Sequence, residues 1–227
     1  MTPWPERSGR IGIDVKKQCV RILVCPGKRR RQEGGSGVEK NIDTLFKILS
    51  STDNTTGGGS ASSIAGAMAA GLVGMVARLS LGKTEPELDK TYQEVATEAD
   101  ALVRNLFAGA TRDSDAFAVV SDAFSLPKGT DEEKKIRSQK IAAGMTLCAE
   151  VPLENAQMCR RVYELQGILE KRYNTNASSD LACAKNLAIA GVRGCAENVK
   201  INLPYLKDEE KVKTLTDRLH EIVSDIE

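Results

Sequence analysis

Histidine, aromatic residues and paired cysteines are scarce in this chain of 227 residues, and each scarcity excludes a class of function. The single histidine, His220, lies near the C-terminus on the charged side of an amphipathic segment. Ser-His-Asp or Cys-His chemistry would have to reach it there, and a zinc site would lack its usual imidazoles. Aromatics make up only 4% of the chain, and no segment after residue 40 alternates as a half-buried strand does. None of the six cysteines forms a C-x-x-C pair. Cys148, Cys159, Cys183 and Cys195 fall within helical patterns, where thiols pack as small hydrophobes, so reduced cysteines in a cytoplasmic protein are expected. If the chain is an enzyme, carboxylates, arginine, lysine and amides must carry its chemistry.

Net charge is nearly absent too, at +1, but it is unevenly spread. Residues 1–40 hold ten Lys or Arg against four Asp or Glu, leaving 22 against 27 in the rest. A mildly acidic body argues against nucleic acid as a partner. Residues 1–37 combine turn formers with a basic cluster, Lys28 to Arg31, and read as a disordered basic leader. Gln32-Glu33-Gly34-Gly35 can be encoded by a purine-rich run resembling a ribosome-binding sequence, so translation starting at Val38 is an alternative expectation. Residues 38–227 are then the domain proper.

That domain reads as all-α. Ile42, Leu45, Phe46 and Leu49 give one apolar stripe. Further helices are predicted over about 60–81, with Ser60 as its cap and Gly82 at its end, and then over 85–106 and 114–124. Thr130 and Glu133 have capping-box spacing and open a helix to about Ala149, where Pro152 divides it from the next, which ends near Tyr173. The last two run to about Val199 and from Asp208 to Ile226.

The stretch GGGSASSIAGAMAAGLVGMVARLSLGK, beginning at Gly57, is unusual for its small residues and for having no charge before Arg78. It lacks the lysine and the preceding strand of a phosphate-binding P-loop, though helix-terminal N–H groups can still bind an anion. A membrane span is disfavoured by its alanine, glycine and serine content. Gly66, Ala70, Gly74 and Ala77 form a smooth stripe, with Ile64, Met68, Leu72, Met75 and Leu79 on the bulky side. Glycines inside a helix cost about 1 kcal/mol each relative to alanine, so a closely approaching neighbour is expected to offset them. Asp180, Ala184, Ala188, Gly191, Cys195, Asn198 and Asn202 make a second smooth face. Two such helices pack tightly or line a slot for a flat ligand.

The segments GGGSASSIAGAMAAGLVGMVARLSLGK, DSDAFAVVSDAFSLPKGTDEEK, EVPLENA, NTNASSDLACA and ENVKINLPYL resemble, in order, the cyclodeaminase domain of formiminotransferase-cyclodeaminase. Stand-alone methenyltetrahydrofolate cyclohydrolases share that family. The resemblance covers about residues 38–227. It implies a multihelical up-and-down bundle of long helices, a homodimer with its folate site at or near the subunit interface, and no metal. The expected reaction closes 5-formiminotetrahydrofolate to 5,10-methenyltetrahydrofolate with release of ammonia, as in histidine degradation. Hydrolysis of the methenyl form to 10-formyltetrahydrofolate is the alternative, and a non-catalytic folate-binding or scaffold dimer a second one. Thr55-Thr56 stands where the family usually has proline before the glycines. The transferase domain is missing, so a separate formiminotransferase is a possible partner.

Either reaction needs a positioned acid/base, worth about 10² to 10⁴ in rate. With histidine set aside, the candidates are Asp115, within DSDAF, and Asp180, at the start of the smooth late helix, with Glu150 behind them. Capping or surface pairing is the competing role for each. Arg78 and Lys83 are expected to hold the glutamate tail of the tetrahydrofolate substrate. Gly57, Gly58, Gly59 and Ser60 are expected to offer backbone donors, and Asn198 and Asn202 to read the pterin edge.

Overall fold

The computed structural model describes residues 55–226. These belong to one compact unit, Gly35–Glu227. The basic leader, the start at Val38 and the apolar stripe from Ile42 to Leu49 lie outside the described residues.

Small residues set the architecture. Helix α1 (Gly58–Ser80) turns Gly66, Ala70, Gly74 and Ala77 inward, so its smooth side is the buried one. Helix α2 (Asp89–Phe124) runs back along it, joined through a short 3₁₀ turn at Pro86–Leu88. Helix α3 (Asp131–Glu170) returns beside α2, and α4 (Ser178–Asn202) beside α3. A side chain on Gly66 would place its Cβ 2.3 Å from Cys159 Sγ, and one on Gly191 would meet the Gly66 backbone nitrogen at 3.3 Å. Glycine on both helices therefore lets α1 and α4 touch backbone to backbone around the Cys159 thiol of α3. Among the described residues these four helices form an up-and-down bundle, with α5 (Glu209–Val223) packed on α3 and α4 through Leu215, Leu219 and Ile222. No strand occurs among the described residues.

Helix ends follow the expected chemistry in part. Thr130 and Glu133 form a full capping box, and Gly82 takes φ +63° just beyond α1. Ser60, expected as the cap of α1, instead lies inside the helix, which is entered from Gly57 with no side-chain cap.

Two predicted breaks are absent. The expected gap after Leu106 is continuous helix, so α2 runs for 36 residues. The smallness of Gly109 serves packing, since a Cβ there would come within 2.1 Å of Asn155 Oδ1. Pro152 does not divide α3, which runs through it for 40 residues. Proline removes the hydrogen bond to the carbonyl four residues earlier, that of Cys148. Asn202 Nδ2 donates to that orphaned oxygen at 2.9 Å, repairing the ladder from α4.

By length and composition α1 could cross a bilayer, but 61% of its most apolar window is buried inside the bundle. Of its bulky side Met68, Met75 and Leu79 face out, with Met68 49% and Leu79 47% exposed, whereas Ile64 is buried and Leu72 packs partly against the core.

Candidate active site

The N-terminus of α1, the later half of α2, the middle of α3 and the C-terminus of α4 converge at one end of the bundle. Between them lies a cleft of about 290 Å³, lined by Thr55, Gly57, Gly59, Asp113, Phe117, Cys148, Asn198, Ile201 and Asn202. Among the described residues Asp113 is its one acidic or basic wall residue.

The surroundings of that carboxylate explain the glycines. A Cβ on Gly59 would lie 2.5 Å from Asp113 Oδ1, so only glycine lets the carboxylate reach the first turn of α1. There Ser60 Oγ donates to Asp113 Oδ2 at 2.9 Å and is equally close to the Ala110 carbonyl. Ser114 Oγ lies 3.2 Å from Ser60 Oγ and 2.9 Å from Thr56 Oγ1, extending the hydroxyl chain. Burial pushes the Asp113 carboxyl above the ordinary aspartate value, although bonds from the Ser60 hydroxyl and amide oppose the rise. Burial also raises the Cys148 thiol to about 11, helped by the nearby Asp113 charge. It stays protonated at neutral pH and is a poor nucleophile.

The asparagines are tied down. Asn198 Nδ2 donates to the Gly194 carbonyl at 2.9 Å, and Asn202 Nδ2 to the carbonyls of Cys148 and Asn198. Asn202 thus has both amide hydrogens engaged within the protein and Asn198 one of two, so Asn202 offers a ligand its amide oxygen, and Asn198 its oxygen and one N–H. A Cβ on Gly58 would approach Asn198 Nδ2 to 3.2 Å, which places the glycine turn directly beside the end of α4.

Of the residues singled out from sequence, Gly57, Gly58, Gly59, Ser60, Asn198 and Asn202 meet here. The others do not. Asp115 is exposed, about 200° around α2 from Asp113. Asp180 is in the first turn of α4, eighteen residues before Asn198 and about 27 Å away along the axis. Arg78 pairs with Asp100 near the far end of α1, about 30 Å from Gly58. Lys83 lines a separate cleft of about 680 Å³ with Glu85, Glu170, Arg172 and Tyr173. Glu150 is bound to Lys211 at 2.7 Å, and His220 is exposed on α5.

Asp113 is the residue that sequence reasoning missed. Its signal was the spacing Leu106, Gly109, Ala110, Asp113, Ala116 and Val120, which continues the inward stripe of α2 once the helix is unbroken.

Comparison with known proteins agrees with this arrangement. The family model described as formiminotransferase-cyclodeaminase matches residues 41–221. A methenyltetrahydrofolate cyclohydrolase of Methylorubrum extorquens is 38% identical over 187 residues, covering 80% of this chain and 90% of its own. The formimidoyltransferase-cyclodeaminase of Gallus gallus is 30% identical over 92% of this chain, which spans only 39% of that longer protein. The crystal structure of a formiminotetrahydrofolate cyclodeaminase from Thermotoga maritima superposes with a TM-score of 0.71 at 25% identity, covering 80% of this chain and 87% of that one. An all-α bundle, a cleft at the glycine turn and a match over most of the chain converge: this protein belongs to the formiminotransferase-cyclodeaminase family.

Proposed function

We propose that the cleft acts on the one-carbon unit held between N5 and N10 of tetrahydrofolate, hydrolysing 5,10-methenyltetrahydrofolate to 10-formyltetrahydrofolate. The observation that carries this is Asp113, a partly desolvated carboxylate in the wall of a cleft whose other described lining residues are uncharged. Water attacks the methenyl carbon and its proton passes to Asp113. The C–N5 bond then breaks as N5 takes that proton back and the hydroxyl of the tetrahedral adduct releases its proton to solvent, leaving the formyl group on N10. A carboxyl raised above its ordinary value holds that proton better in between. Asp113 takes the acid/base role for which Asp115 and Asp180 were candidates. The exposed edges of Phe117 (39%) and Ile201 (65%) offer apolar surface to the substrate rings.

Ring closure of 5-formiminotetrahydrofolate is the second reading, favoured by the Thermotoga maritima structure. N10 attacks the formimino carbon, and Asp113 carries the N10 proton to the departing ammonia. In that case a separate formiminotransferase would supply the substrate. Hydrolysis is put first because the cyclohydrolase relative is matched at higher identity over nearly its whole length.

A homodimer is proposed as well. Met68, Gly71, Met75 and Leu79 leave an apolar strip along the outside of α1. An antiparallel copy there would carry its Arg78 and Lys83 toward this cleft, restoring their expected role at the glutamate tail.

The test follows the ultraviolet absorbance of methenyltetrahydrofolate. Purified protein is expected to speed its decay over buffer, and a rise from the formimino compound would move the deaminase reading to first place. If neither signal moves with folded protein, the enzymatic proposal is lost.

A further inference from the structure

Resting on the folate reading above, we infer that the cleft selects its ligand by charge: it is built for a cationic amidinium centre, with Asp113 as the counter-ion. Nearby cations are committed elsewhere. Arg112, next in sequence, reaches Glu154 at 2.7 Å; Lys200 on α4 holds Glu197 and Lys211 on α5 holds Glu150, each at 2.7 Å. Among the described residues no lysine, arginine or histidine forms an ion pair with Asp113. Its compensation is the Ser60 hydroxyl and amide at the start of α1, polar contacts that orient the carboxylate without neutralising it.

A half-buried carboxylate without a cation, as Asp113 is, carries a desolvation cost that a ligand supplying the missing charge would offset. The rest of the wall suits the same ligand. Asn202 spends both of its N–H groups on backbone carbonyls and Asn198 one of its two, so the amide oxygens of both remain as acceptors. The Cys148 thiol stays neutral. Opposite charges a few ångströms apart in such a poorly solvated place attract far more strongly than in water.

The formiminium and methenyl forms of the substrate both carry a positive charge spread over N–C–N. The 10-formyl product does not, because hydrolysis releases a proton. Charge selection therefore favours the reactant over the product, so the same contact that captures the substrate lets go once the reaction is complete.

The probe is a pair of unreactive isosteres that differ in charge, benzamidinium and benzamide, titrated calorimetrically into the full-length protein. Benzamidinium is expected to bind at least tenfold more tightly and to weaken with added salt. In Asp113→Asn the ratio is expected to fall to twofold or less, while Asp113→Glu retains a preference. Equal binding in the unsubstituted protein, including no measurable binding of either, overturns the inference, as does a preference that survives in folded Asp113→Asn. Methenyl turnover is read separately. Turnover without charge preference discards the inference and keeps the folate reading; preference without turnover does the reverse for the cyclohydrolase assignment.

Discussion

The two ends of the bundle each carry a cleft, and the smaller one is the proposed site of the chemistry. At the far end the space of about 680 Å³ is bordered by two ion pairs, Arg172 at 3.5 Å from Glu85 and Lys185 at 3.4 Å from Glu170, and by the exposed Lys83 and Lys171, whose charges face solvent. Polar groups there fasten the fold. Tyr92 Oη lies 2.8 Å from Thr84 Oγ1 and donates to the Arg172 carbonyl, while Asn174 donates to Ser80 Oγ and the Leu79 carbonyl. At the glycine end the space is less than half as large, but its carboxylate is partly desolvated and has no cation among the described residues. A charge that is both withdrawn from water and unpaired points to a site more than volume does.

The sharpest way to break that contrast is to remove the unsatisfied charge. Asp113→Asn is expected to lower kcat by about 10² to 10⁴, whereas Asp115→Asn and Asp180→Asn stay within a few-fold of the unsubstituted protein. A large loss at Asp180 with Asp113→Asn still active would put the chemistry elsewhere. Next in size is Gly66→Ala, expected to cost about 1–3 kcal/mol by denaturant melting, because its Cβ has Cys159 Sγ in its path. Gly59→Ala should do the opposite, losing activity through displacement of the Asp113 carboxylate with little change in stability.

Asn202→Ala is expected to cost about 1–3 kcal/mol, since it strips the Cys148 carbonyl of its partner beside Pro152. Asp113→Asn has a stability consequence as well. Its folded carboxyl binds a proton more readily than the unfolded one, so the native state holds the extra proton in the window between the two values. Unfolding free energy therefore falls as pH rises through that window, starting from the ordinary aspartate range near about 3.9. At neutral pH the asparagine variant is expected to melt higher than the unsubstituted protein, with the advantage vanishing in acid. The smallest effect belongs to the far end: Lys83→Ala should shift stability by less than about 0.5 kcal/mol.

Much of this was legible in the sequence. The smooth faces of α1 and α4 predicted their close contact, and Gly66 and Gly191 make it. The glycine turn, Asn198 and Asn202 were correctly grouped as neighbours. Asp113 was not legible because the predicted break after Leu106 discarded the phase of the helix. Asp113 and Asp115 differ by only two residues, and without continuity nothing says which points inward. Arg78 and Lys83 do not reach the cleft of their own copy for another reason. Arg78 and Gly58 share one helix, and its length keeps them apart in a single copy.

Pro152 ties the cleft to the order in which the molecule is assembled. A helix of 40 residues with a missing rung has a weak point, and here the replacement donor comes from the end of another helix, 50 residues further along the chain. The wall carrying Cys148 is complete only when the last turn of α4 has docked. The cleft is thus a product of the finished bundle, and undocking of α4 would erase it while most of α3 remained helical.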